Sequence, residues 1–200
     1  MNLFRKIVLA GFLLLPMFEV QGQSGRPVTI SLFNESTSMP FTKIWSQPVH
    51  PGVQVGTEFN SNSDRRLRFY PGINLGYVFH RKLFQGVYIN VDLGVTYNIT
   101  KNVNLKAALG GGYMRTYTTG PEYTLVEGAL LKRADQGNSR LMPSLTLGLG
   151  YRLRPQKTGS PEFFVLHKTW LEYPYSPGFI PLMSHTNLHL GAKLFPFKNQ

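Results

Sequence analysis

The chain has 200 residues, the size of one domain, with a formal charge of +11 and no cysteine. The lack of cysteine excludes disulfides, an acylated lipoprotein N-terminus and thiolate metal sites. The basic residues are scattered in twos (Arg65 and Arg66, Arg81 and Lys82, Lys132 and Arg133, Arg152 and Arg154), mostly where strands are expected to end. Together with an export signal this argues against a nucleic-acid partner.

The start reads as that signal. "MNLFRK" carries Arg5 and Lys6, and "IVLAGFLLLPMF" is an apolar run too short to span a bilayer comfortably. Val20 and Gly22 occupy the −3 and −1 positions of a cleavage site. The expected division is therefore a signal peptide over 1–22 and one domain over 23–200. Removing Arg5, Lys6 and Glu19 takes away one net positive charge, so the mature chain keeps +11 − 1 = +10.

Beyond the signal the hydrophobic period is two rather than 3.6, which predicts strand after strand. "PVTISLF" places Val28, Ile30 and Leu32 on one face. "PGVQVGTEF" does the same with Val53, Val55, Thr57 and Phe59, and "RLRFYPGINLGYVFH" with Leu67, Phe69, Ile73, Leu75, Tyr77 and Phe79. "GVYINVDLGVTYNIT", residues 86–100, alternates almost without fault. "VNLKAALGGGYMRTY" and "RLMPSLTLGLGYRLR" follow; then "EFFVLHKTWLEY", whose phase is ambiguous, and "HTNLHLGAKLF". These are eight expected strands, an even number.

The connections alternate in length. Residues 60–64, 100–102 and 155–161 are short or moderate; 34–49, "TGPEYTLVEGALLKRADQGN" and 174–183 are long. Only 80–85 breaks the rule by being short. Short turns at one end and long loops at the other predict an eight-stranded antiparallel transmembrane β-barrel of outer-membrane type, with both termini periplasmic.

Three features choose the face that meets lipid. Gly52, Gly56, Gly72, Gly76, Gly94, Gly110, Gly112, Gly148, Gly150 and Gly191 lie opposite the bulky apolar set, as a lumen barely wide enough for side chains requires. The glycine face also carries Gln54, Glu58, Asn74, His80, Asn90, Asp92, Lys106, Ser144, Thr146 and Arg152, and from the last strand His185, Asn187, His189 and Lys193. Buried charges of both signs must pair, so Glu58 and Asp92 are expected to accept from Lys106, Arg152 or Lys193. Aromatics fall at both ends of the outward faces: Phe59, Tyr97, Tyr151 and Phe195 at one, Tyr77, Phe79, Tyr117 and Trp170 at the other. Arg115 and Lys168 are expected on the outer face near the rim, where long cations snorkel.

Candidates for chemistry are few. His185 and His189 share a strand face about 13 Å apart by the strand rise, too far to hold one metal together. Ser184 and His185 are neighbours and point to opposite faces. The histidine and serine two residues apart that mark lipid A acyl hydrolases would fall on His185 and Asn187, where the serine is missing. No catalytic, cofactor or metal site is expected, and a narrow filled lumen excludes a pore. Trp170, Tyr173, Tyr175 and Phe179 alternate with Pro174, Pro177 and Pro181, giving a stiff aromatic loop that either docks another molecule or folds over the barrel mouth. Residues 34–52 share this character on the same side.

"MPFTKIWSQPVHPGVQVGTEF", "MPSLTLGLGYRLRP" and "WLEYPYSPGFIPLMSHTNLHLGAKLF" resemble a family of small outer-membrane β-barrel proteins of Bacteroidota. The resemblance spans nearly the whole mature chain and is strongest in these blocks. It implies fold and location and carries over no catalytic residue. The expected partners are outer-membrane lipid and lipopolysaccharide, with other outer-membrane proteins as candidates. The expected role is non-enzymatic: a structural or accessory barrel, a candidate subunit of a larger complex. The alternative is a lipid A-modifying acyl hydrolase.

Overall fold

The computed structural model describes residues 26–196 apart from 41, 43–44, 60–65, 127–128, 158 and 177. The expected signal 1–22, the turn at 60–64 and Pro177 lie outside the described residues. Among the described residues there is no helix. The strands are β1 (Val28–Thr37), β2 (Pro51–Glu58), β3 (Leu67–Phe79), β4 (Phe84–Asn98), β5 (Val103–Thr118), β6 (Glu122–Val126), β7 (Ala129–Arg133), β8 (Asn138–Leu141), β9 (Ser144–Arg152), β10 (Glu162–Glu172) and β11 (Met183–Leu194).

Neighbours pair antiparallel around a closed ring. β1 pairs with β2 on one side and β11 on the other, β3 joins β2 to β4, β5 joins β4 to β9, and β10 joins β9 to β11. β8 and β9 make one stave. Tyr113 faces Leu141 and Gly110 faces Ser144, so the register on β5 runs unbroken across the Met142–Pro143 step. Pro143 lacks an N–H, which interrupts the ladder without shifting it. The sixth strand expected from sequence is thus two strands in one line, and the ring has the eight staves expected. Closure leaves no sheet edge in the wall, as a bilayer demands.

The apolar face points outward. Leu32 is 67% exposed, Phe69 67%, Leu93 70% and Leu109 68%. A band of this extent encircling the molecule is stable only against lipid. Phe59, Tyr97 and Tyr151 sit outward at the end where β1 starts and β11 stops, here called the lower end; Tyr77 and Tyr117 sit outward at the upper, long-loop end. Phe195 departs from expectation. Its ring lies 5.8 Å from Lys193 Nζ, a lumen cation, because it shares that residue's parity.

The lumen is packed by aromatic rings laid across glycines. Phe33 lies directly opposite Gly52, Tyr70 opposite Gly94, Tyr88 opposite Gly76, and Phe164 opposite Gly191. A Cβ at Gly94 would come within 2.2 Å of the Tyr70 ring, and one at Gly76 within 2.1 Å of Tyr88. The glycines therefore make room for flat rings inside a narrow barrel.

Two expected loops contain strands. β1 runs through Thr37, past the end expected at Phe33, and brings Glu35 into the lumen. The stretch after β5 folds into the β6–β7 hairpin, Glu122 to Val126 paired with Ala129 to Arg133. At its base Asp135 accepts from Thr118 N at 2.6 Å and Gly137 N at 2.7 Å, and Gly137 takes φ 69°.

Candidate functional site

Alternation along each strand delivers the polar residues to the lumen, where they form two ionic clusters joined by a hydrogen-bonded belt. In the lower cluster Lys106 Nζ lies 2.6 Å from Glu162 Oε1 and 3.7 Å from Glu58 Oε1. Lys193 donates to Glu58, and Arg152 stands 3.8 Å from Glu162. Asn104 donates to Glu162 at 3.1 Å. Each of these two carboxylates thus meets cations from separate staves.

The middle belt runs Tyr88–Gln54–Asn74–Asp92. The Tyr88 hydroxyl donates to Gln54 Oε1 at 2.9 Å, Gln54 to Asn74 Oδ1 at 3.2 Å, and Asn74 to Asp92 Oδ2 at 2.6 Å. Asp92 accepts from an amide, in place of the lysine or arginine expected. A small cavity of about 60 Å³ beside it is lined by Asp92, Lys106, Thr146, Lys168 and His189 among others, room for a few waters. His189 meets Ser31 Oγ at 3.0 Å and tilts over Phe33.

The phase of β10 resolves with its even-numbered residues inward. Lys168 is 2% exposed and donates to Asn90 Oδ1 at 2.8 Å; it is a lumen residue, and the expectation of an outer-rim cation holds only for Arg115. The Arg115 guanidinium donates to Ser139 Oγ at 2.7 Å at the upper rim. Trp170 is 1% exposed. It belongs neither to the outer aromatic belt nor to a docking surface. It stacks on His185 with centroids 4.1 Å apart and donates to Asn187 Oδ1 at 3.2 Å. The outward residues of this strand (Phe163, Val165, His167, Thr169, Leu171) mix apolar and polar types, which hides the phase. The inward set Glu162, Lys168, Trp170 and Glu172 carries the signal that would have revealed it.

The upper cluster is a chain of alternating charge. Arg140 Nε lies 2.9 Å from Glu172 Oε1; His185 Nε2 lies 3.2 Å from Glu172 Oε2; His185 Nδ1 lies 2.8 Å from Glu35 Oε1. Thr37 donates to the same Glu35 oxygen at 3.2 Å. Glu35, Glu172 and Arg140 were not singled out from sequence: the first two fall on strands whose length or phase is not readable, and the third on the short β8.

Two loops complete this end. Ser46 and His50 turn inward: Ser46 Oγ donates to the Glu35 carbonyl at 2.7 Å, and His50 N donates to Asn34 Oδ1 at 2.8 Å. His50 stacks on His80, centroids 3.6 Å apart. Burial holds the His80 imidazole below its usual range, against the pull of Glu35. Beneath them Phe33, Val78, Phe84, Tyr88, Met114, Met142 and Trp170 fill the lumen. The segment 173–182 projects instead. Ser176 and Ile180 exchange backbone hydrogen bonds at 2.8 and 3.0 Å, Tyr173 is 47% exposed, Tyr175 half-buried, and Phe179 at the tip 83% exposed.

The closed ring of eight staves has counterparts among solved structures. Neisserial surface protein A (NspA) superposes with a TM-score of 0.56 at 9% identity, over 86% of this chain and 97% of that one. This is the fold of a small outer-membrane barrel. Ail, the attachment invasion locus protein of Yersinia pestis, superposes with a TM-score of 0.50 at 14% identity, over 86% of this chain and 99% of that one. Identities this low carry the architecture and leave the narrower Bacteroidota resemblance unsupported. No protein-family model and no curated protein matches the chain.

Proposed function

We propose that this chain is a non-enzymatic barrel of the bacterial outer membrane. Its termini and short turns face the periplasm, and its long-loop end docks another envelope component. The observation that supports the reading is the contrast between a lumen closed by ion pairs and rings and an upper end that exposes apolar side chains beyond the wall. Phe179 is 83% exposed there, Met39 71%, Leu130 70% and Leu182 50%. Exposed apolar surface of this kind marks interaction sites. The filled lumen supports a role other than a pore, and the scattered basic residues suit the phosphates of lipopolysaccharide. Fractionation with the outer membrane, heat-modifiable gel migration and specific co-purification in mild detergent, lost on Phe179→Ser, are the expected results. Recovery as a soluble periplasmic protein overturns the location, and co-purification unchanged by Phe179→Ser overturns docking at this hairpin.

One observation favours the lipid A acyl hydrolase reading. His167 and Thr169 share the outer face of β10, with Thr169 Oγ1 3.4 Å from His167 Nε2. This is the two-residue spacing of an imidazole and a hydroxyl, with threonine in place of serine and Thr169 only 7% exposed. Mass spectrometry of lipid A from cells carrying the wild type or Thr169→Val decides it: identical acyl patterns exclude hydrolysis through this pair.

A further inference from the structure

The upper cluster leaves one oxygen unaccounted for. Glu35 is fully buried; its Oε1 is held by His185 and Thr37, while Oε2 has no hydrogen-bond donor among the described residues. A carboxylate oxygen removed from water without a donor is costly. Two imidazoles face it from separate loops: His50 Nδ1 at 3.7 Å and His80 Nε2 at 3.9 Å. Both distances are too long for hydrogen bonds. They approach the separation of roughly 3.4 Å between donor atoms set tetrahedrally about an ion with bonds of about 2.1 Å. The three donor atoms lie within 4.8 Å of one another.

We infer that Glu35, His50 and His80 form a binding site for a divalent transition ion of the zinc class at the upper mouth of the barrel. Two imidazoles and a carboxylate suit zinc and disfavour calcium or magnesium, which take oxygen ligands. Closing the site asks the two imidazoles, stacked with centroids 3.6 Å apart, to unstack and turn their nitrogens onto the ion, since the planes of two ligating rings must meet at it. They belong to loop segments, while Glu35 is fixed on β1 and held from behind by His185, the kind of outer support that orients a ligand. Both histidine side chains remain 10% exposed, so an ion reaches them from the mouth, and a water completes the set. The ion ties the 38–50 loop to the turn after β3 and satisfies the orphaned oxygen.

The proton arrangement supplies a signature. Without an ion, His80 Nδ1 accepts from Lys82 N at 3.3 Å and Leu83 N at 3.2 Å, which leaves the ring proton on Nε2. His50 Nδ1 donates to the Glu35 carbonyl at 3.2 Å. Ion uptake requires the lone pairs of His50 Nδ1 and His80 Nε2, so both rings change tautomer and these long contacts are given up.

The test uses the full mature chain, untagged, folded in detergent and stripped with chelator. Titration with Zn²⁺ against a chelating dye should give one ion per chain, and Co²⁺ should produce visible absorption of a low-symmetry nitrogen and oxygen site. The ¹⁵N shifts of both rings should report the tautomer change. His50→Gln/His80→Gln, which alters only loop residues and should keep heat-modifiable migration, is expected to weaken Zn²⁺ binding by about 100-fold or more, beyond what losing an outer support costs. Glu35→Gln should do the same. Wild type taking up no Zn²⁺, or the double variant binding as wild type does, overturns the site.

Discussion

The two ends of the lumen solve the same problem with different chemistry. At the lower end the cations are Lys106, Lys193 and Arg152, and all their carboxylate partners stand on barrel strands. At the upper end the central cation is an imidazole, His185, between Glu35 and Glu172, and part of the packing comes from loops. An ammonium group stays charged near neutral pH, whereas an imidazole can release its proton. Removing a carboxylate therefore strands a charge below but can be absorbed above. The lower end is a rigid ionic floor; the upper end tolerates rearrangement.

The largest expected effect follows from this. Glu58→Gln leaves Lys106 and Lys193 with one fewer carboxylate between them and should cost about 3–5 kcal/mol, the usual penalty for breaking a buried pair from one side. Urea unfolding in lipid vesicles measures it. Glu172→Gln removes a partner from Arg140 and His185 but should cost only about 1–3 kcal/mol, the range for an unmade buried hydrogen bond, because the imidazole can go neutral and Arg140 keeps its bond to the Pro174 carbonyl. Equal losses in the two variants would break the distinction between the ends. Phe179→Ser lies beyond both clusters and should shift unfolding by no more than about 0.5 kcal/mol, as surface changes do. A larger loss would mean that the projecting hairpin braces the upper end.

The wall was legible and the upper mouth was not, for a physical reason. Period-two alternation and the placement of glycines are local, so they revealed the outward face of residues 86–100 and the inward parity of Glu58, Asp92, Lys106 and Lys193. The choice of partner was not legible. Asp92 accepts from Asn74 on the adjacent strand, while Lys106 sits nearer Glu162 and Glu58; which ions meet depends on shear and side-chain length across the barrel. β10 misled because His167 and Thr169 dilute its outer face, and Trp170 followed it to the wrong side. Glu35, His50 and His80 meet only through the fold, since one is on a strand and two are on loops far apart in sequence.

The aromatic–glycine pairs bear on how the barrel reaches its final alignment. A one-residue slip between strands turns every leucine inward and is rejected by the greasy face alone. A two-residue slip preserves both faces and would pass that filter. It would, however, carry Phe33 off Gly52 onto Gln54 or His50, Tyr70 off Gly94 onto Asp92 or Thr96, and Tyr88 off Gly76 onto Asn74 or Val78. Each ring would then meet a side chain where the lumen has space only for a hydrogen. The four flat rings act as teeth that seat in one position, discriminating among the alignments that hydrophobicity leaves degenerate while the wall closes in the bilayer.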